Sequence, residues 1–205
     1  MLKNIFVFLP YKSVRISRTA NNIRQMINIE NVMKPQDLVI LLKKITEKGQ
    51  SLSIRGLAES LSMSTSSVSE SLERCKTAQL VDRNKQRVNV LALQEFLIYG
   101  IKYVFPLELG RVIRGLPTYI SASPIKEQLA GNADNYVWKY AQGNAKGQTV
   151  KPLYPTVPEA AMRDAELYEL LVLVDAVRVV GRPREKEIAI KELTQRLKRY
   201  AENKQ

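Results

Sequence analysis

Residues 54 to 72 constrain the fold more than any other stretch of this 205-residue chain. Ile54, Leu57, Ala58 and Leu61 recur at spacings of three and four, which puts one apolar stripe on a helix. A Ser62-Met63-Ser64 corner follows, and Ser64 is a good N-cap for a second helix whose inner face is Val68, Leu72 and Cys75. The small Ala58 lets two such helices cross closely, with Val68 filling the angle between them. The pattern predicts a helix-turn-helix. On that register the second helix turns Thr65, Ser66, Ser67, Glu70, Ser71 and Arg74 toward solvent. A helix that needs only solubility more often carries Lys and Glu at such positions. Hydroxyls and uncapped N–H groups at a helix N-terminus suit phosphates and base edges in a major groove. The competing reading is a plain packing unit, and Ser62 stands where such turns usually have glycine.

The next residues extend the pattern. Leu80-Val81-Asp82 and Val88-Asn89-Val90 can pair as a small hairpin around residues 83–87. Arg83, Lys85 and Arg87 alternate there, so a regular ribbon would project them from one side. A basic β-tip directly after a recognition helix has the position of a wing that grips the DNA backbone or minor groove. An ordinary solvated turn is the alternative. Ahead of these elements, Pro35 opens a helix with Leu38, Leu41, Leu42 and Ile45 on one face, closing at Gly49. Behind them, Leu93, Phe96, Leu97, Ile101 and Val104 have helical spacing between Leu91 and Val104.

The segment from Lys34 to about Tyr103 resembles bacterial winged helix-turn-helix regulators of the MarR-like kind. The matching residues are Leu57-Ala58-Glu59-Ser60-Leu61, Met63-Ser64, Ser67-Val68-Ser69 and Leu72, then Ala78-Gln79-Leu80-Val81. The resemblance implies binding of duplex DNA, usually by a dimer. Residues 100–180 also resemble a little-characterised group of bacterial winged-helix proteins. That likeness rests on Gly100-x-Lys102-Tyr103-Val104-Phe105-Pro106, Arg114-Gly115-x-Pro117-Thr118, Pro152-Leu153-Tyr154, Val157-Pro158 and Leu173-Val174-Asp175-Ala176. It implies the fold rather than a role.

Composition narrows the chemistry. A net charge of +12 and a pI near 9.8 favour a polyanionic partner. The excess is diffuse, +4 in each of residues 1–33, 34–103 and 104–205. There is no histidine, and Cys75 is the single cysteine, which excludes His/Cys zinc sites, disulfides and Ser-His-Asp or Cys-His catalytic sets. Asp134, Glu159 and Asp164 are too scattered to define an acid–base pair. The expectation is a cytoplasmic, non-enzymatic protein without a cofactor. Cys75 reads as a packing residue under the recognition helix, with a thiol sensor as the alternative.

Residues 1–33 read as a basic arm or an extension preceding a start at Met33. Their apolar run Ile5-Phe6-Val7-Phe8-Leu9 is too short to span a membrane. Residues 34–104 are the expected winged helix-turn-helix. Residues 105–158 hold five glycines and, with Pro10, Pro35 and Pro183 excluded, every proline of the chain. They read as an irregular lobe with strands near Tyr136–Tyr140 and Thr149–Leu153, and a hairpin turn at Gly143–Gly147. Arg111, Arg114 and the Gly115–Thr118 turn read as a structural turn, with a site for an anion or a partner peptide as the alternative. Residues 159–205 read as a helical hairpin, with one stripe of Leu167, Leu170, Leu171, Val174 and Val177 and another of Ile190, Leu193, Leu197 and Tyr200. Leu193, Leu197 and Tyr200 are the expected seam of a homodimer. The fold class expected is mostly α with a small β wing. The expected function is sequence-specific binding of double-stranded DNA by a transcriptional regulator, a repressor rather than an activator. The alternative is a protein-interaction or antitoxin-like module that uses the same fold as a scaffold.

Overall fold

The computed structural model describes residues 32–129 and 135–202. The chain divides into Met1–Val32 and a compact unit, Met33–Gln205, so the expectations for the basic arm lie outside the described residues. The compact unit is mostly helical with one small three-stranded sheet.

Helix α1 (Pro35–Ile45) starts with proline in its first turn, and the Asp37 carboxylate accepts the Lys34 N–H at 2.8 Å. Every residue from Asp37 to Ile45 is buried, the two lysines included, so α1 is enclosed on all sides. The chain leaves it tightly. A Cβ at Gly49 would sit 1.6 Å from the Lys43 carbonyl oxygen, which only glycine avoids. Helices α2 (Ile54–Leu61) and α3 (Thr65–Thr77) follow, capped by Ser53 and Ser64, which accept the N–H groups of Gly56 and Ser67. Between them Ser62 adopts a left-handed conformation (φ 52°, ψ 45°), the geometry for which glycine is usual. Leu57, Ala58, Leu61, Val68, Leu72 and Cys75 are buried where the two helices cross.

The expected hairpin is reduced to a single antiparallel bridge, Val81 to Val88. Lys85 is left-handed (φ 58°), and the Asp82 carboxylate accepts the N–H groups of Gln86 and Arg87 at 2.7 and 3.0 Å. Residues 83–87 are therefore a turn rather than a ribbon, and the alternation expected for Arg83, Lys85 and Arg87 does not hold. The chain continues as α4 (Val90–Glu95), a π-helical turn (Phe96–Gly100) and α5 (Ile101–Val104). Leu93, Leu97 and Ile101 are buried, and Val104 is exposed.

The sheet lies in the lobe expected to hold short strands, with one strand at the place expected near Tyr136–Tyr140, one ahead of the place expected near Thr149–Leu153, and a third, Leu109–Pro117, not expected. Strand β1 (Leu109–Pro117) pairs antiparallel with both β2 (Tyr136–Lys139) and β3 (Ala145–Val150). Strands β2 and β3 also pair in parallel, Tyr136 with Gln148 and Val137 with Thr149, so the three strands close on themselves. Closure on so small a scale needs bare backbone. A Cβ at Gly115 would lie 2.0 Å from the Trp138 carbonyl oxygen, and one at Gly147 2.4 Å from that of Asn135. The Gly143–Gly147 stretch thus leads into a strand and is not the hairpin turn expected.

The C-terminal helices enclose the core. The single helix expected from Pro158 is broken at Asp164 into α6 (Val157–Arg163) and α7 (Ala165–Val177). Asp164 is extended, and its carboxylate caps α7 by accepting the N–H groups of Glu166 and Leu167 at 3.1 and 3.2 Å. Residues Leu170 to Val177 are all buried, so α7 is the central helix. Gly181 (φ 89°) turns the chain into α8 (Pro183–Glu202). Leu193 and Leu197 are fully buried, and Tyr200 is 7% exposed. This overturns their expected place at a dimer seam: α8 spends its apolar stripe within the protomer core.

Three buried ion pairs tie these layers together. Arg74 chelates Asp37 at 2.6 and 2.9 Å, joining α3 to α1. Lys43 meets Asp164 at 2.6 Å, joining α1 to the α6–α7 break. Asp175 on α7 accepts Arg178 Nη1 at 2.7 Å, Trp138 Nε1 at 2.7 Å and the Thr118 hydroxyl at 2.9 Å, fastening the sheet. Each of the three buried carboxylates accepts several hydrogen bonds, which offsets much of its desolvation.

Candidate nucleic-acid interface

Helix α3 presents two different surfaces. At its N-terminus Ser64 is the cap, and its hydroxyl also lies 3.0 Å from the hydroxyls of both Ser66 and Ser67. Thr65, Ser66 and Glu70 are exposed and Ser67 is half-buried. These positions lie on the face expected from the sequence. Ser71 and Arg74 do not. Ser71 is fully buried and Arg74 is 3% exposed, because the Arg74 guanidinium reaches back to Asp37 and also donates to the Ser71 hydroxyl at 2.8 Å. The expectation that both face solvent is corrected. The side of α3 bearing Ser71 and Arg74 packs against α1 through a pair separated by 37 positions, which local periodicity does not reveal.

The outer stripe instead continues through Ser69, Glu70, Glu73, Lys76 and Thr77. Glu73 and Lys76 were not singled out from the sequence. Their one local signal was spacing, since Glu70, Glu73 and Thr77 recur at three and four. Glu73 is paired with Lys85 from the 83–87 turn and lies 3.8 Å from Lys76. Hydrogen bonding from Lys85 holds the Glu73 carboxyl below the ordinary range. Lys85 is thus engaged with α3, whereas Arg83 and Arg87 are exposed and make no ion pair among the described residues. A cleft of about 160 Å³ separates the 83–87 turn from the start of α2, lined in part by Ser53, Asn84, Lys85 and Gln86.

Two further arginines flank the corner. Arg55 in the first turn of α2 is exposed and pairs with Glu59 at 2.9 Å. Arg163 of α6 donates to the Ser62 hydroxyl at 3.0 Å and to the Glu59 carbonyl at 3.3 Å, while also pairing with Glu159. These contacts hold the α2–α3 corner from outside.

Cys75 lies on the inner side of α3 with no exposure, and burial pushes its thiol up to about 12. Such a thiol is almost wholly protonated at neutral pH, which opposes the sensor alternative. No group of three or more His, Cys, Asp or Glu residues suited to a metal ion occurs among the described residues. No described helix is long and apolar enough to cross a membrane.

Comparison with known proteins gives no relative: no family model, no curated protein and no solved structure matches this chain.

Proposed function

We propose that the protein binds double-stranded DNA sequence-specifically, as a winged helix-turn-helix transcriptional regulator and in the first instance a repressor. The observation that carries this reading is the N-terminal half of α3. A capped helix end displays Thr65, Ser66, Ser67 and Glu70 on its open face. Short hydroxyl side chains at a helix start can contact base edges and phosphates without filling the major groove. Arg83 and Arg87 are the cations available for backbone contact beside it. Selection from a pool of random duplexes tests the reading. The expected result is enrichment of one discrete sequence. Recovery of the pool unchanged contradicts it.

The same reading requires a second copy, because one recognition helix reads only a few base pairs. With α8 committed to the core, the α4–α5 rod offers the alternative surface. Leu91, Tyr99 and Tyr103 are 73%, 68% and 76% exposed on it. A neighbouring groove of about 560 Å³ is lined by Leu80, Ala92, Phe96 and Tyr99. A Tyr99→Glu variant is expected to be monomeric by light scattering. A wild-type monomer at micromolar concentration contradicts this pairing.

A further inference from the structure

The curled sheet bears a second cationic surface that the α3 reading does not use. In the β1–β3 register Arg114 lies directly opposite Lys146, and Val112 opposite Gln148. Cross-strand partners and alternate residues share a face of the ribbon. Exposure follows that rule. Val112, Arg114 and Lys146 are exposed, whereas on the other face Gly115 and Gly147 are buried and Ile113 and Ala145 half-buried. Arg111 adjoins this face, next to a one-residue bulge between the Leu109 and Val112 pairings, and is also exposed. Lys139, the partner of Gly115 on β2, is exposed but belongs to the opposite face.

Like charges directly opposite one another on a ribbon destabilise it. A neighbouring carboxylate can neutralise a cation here, as Glu108 does for Lys151 at the base of this ribbon, at 2.9 Å. Arg111, Arg114, Lys139 and Lys146 form no ion pair among the described residues. The ribbon backbone is nevertheless rigidly held. Its strands close on one another, Thr149 donates to the Arg111 carbonyl at 2.7 Å, and Trp138 anchors β2 to Asp175. Opposed cations that form no ion pair among the described residues, on a preorganised backbone, complement an anion that can bridge both.

We propose that the outer face of the β1–β3 ribbon, with Arg114 and Lys146 at its centre and Arg111 beside them, is a second nucleic-acid contact that takes duplex phosphates independently of sequence. This rests on the duplex-binding reading of α3. It assigns the ribbon to affinity and α3 to choice of sequence, since phosphate contacts position a protein without reading bases.

The test compares three full-length proteins on one duplex of random sequence, by fluorescence anisotropy across a salt series. They are the wild type, Arg114→Gln/Lys146→Gln, and a charge-matched control, Lys191→Gln/Arg199→Gln, in exposed positions of α8. Each phosphate contact contributes about 0.9 to the log–log salt slope. The ribbon variant should therefore have a slope lower by about 2. Between 50 and 200 mM salt it should lose roughly tenfold less affinity than the wild type. The control should keep the wild-type slope, and thermal unfolding should show both variants folded. A ribbon variant with the wild-type slope overturns the proposal while leaving the α3 reading intact. So does an equal fall in variant and control, which would mark diffuse charge. A wild type that binds no duplex at all removes the α3 reading, and this proposal with it.

Discussion

Ser66 and Ser71 are five positions apart on one helix, and their environments are opposite. Ser66 is exposed beside the cap, with only hydroxyl neighbours. Ser71 has no exposure and accepts from Arg74, which is itself locked to Asp37 on α1. The N-terminal half of α3 is thus displayed, and its C-terminal half is fastened. Display of these residues is useful only if the helix bearing them is fixed, and the Arg74–Asp37 chelate fixes it. Polarity therefore has two meanings along one helix. Outward polar groups are available to a partner, and inward ones orient the helix.

The largest effect that would break this contrast is on folding. Removing one member of a buried, hydrogen-bonded ion pair leaves an unpaired charge, at a cost of about 3–5 kcal/mol. Arg74→Ala is expected to fall in that range by urea denaturation, and replacing both partners, Arg74→Met with Asp37→Leu, to recover most of it. Loss of less than about 1 kcal/mol from Arg74→Ala would mean that the guanidinium is not a fastening at all.

A second effect is seen in acid. Burial pushes the Asp164 carboxyl upward, but the Lys43 ammonium and the Leu167 N–H outweigh it and hold it below its ordinary value. Its folded pKa is lower than its unfolded one. The stabilisation is therefore complete above the unfolded value, near pH 4, and is lost as pH falls through the folded value. Acid unfolding followed by circular dichroism should show this loss below about pH 4. An Asp164→Asn variant should be less stable at pH 7 and have a shallower acid limb, and an unchanged limb would assign the acid response elsewhere.

Cys75 gives a kinetic version of the contrast. Buried beneath α3 with its thiol pushed up to about 12, it should react with a thiol reagent only through unfolding. Its labelling rate should therefore rise with urea in step with the unfolded fraction. Rapid labelling of the native protein would contradict the burial of this face.

The smallest effect concerns the corner. Ser62 is left-handed, so Ser62→Gly relieves backbone strain of about 1 kcal/mol while removing a hydroxyl that accepts from Arg163. A net gain below about 1 kcal/mol in thermal unfolding is expected. A loss would show that the Arg163 contact outweighs the strain.

The same contrast shows what was legible in the sequence. The spacing of Leu57, Ala58, Leu61, Val68, Leu72 and Cys75 encodes two crossed helices, and the Ser53 and Ser64 side chains cap them as such residues do. These are local signals, and the helices, the corner and the exposed start of α3 followed from them. Ser71 and Arg74 were misplaced because their environment is set by Asp37, far away in sequence and carried by another helix. The alternation of Arg83, Lys85 and Arg87 predicts a regular ribbon, and the left-handed Lys85 and the Asp82 turn contacts remove that regularity. The strand near Tyr136–Tyr140 follows from the sequence, but β1 and the closure of the sheet do not, because they depend on glycines that suggest turns, at Gly115 and Gly147, and on contacts between segments some 30 residues apart. Leu193 and Leu197 illustrate a general ambiguity. An amphipathic stripe states that a face will be covered, but not whether the cover is the same chain or another.

On the proposed function, the exposed start of α3 chooses the DNA sequence while its buried side only holds the helix in place. Footprinting of Thr65→Ala/Ser66→Ala beside the wild type tests this most directly. Discrete protected sites are expected for the wild type. Their loss is expected in a variant whose stability is within about 0.5 kcal/mol of wild type, since exposed positions contribute little to folding and each base contact is worth about 1–3 kcal/mol. Unchanged protection by the folded variant, or no discrete protection by the wild type, would contradict it.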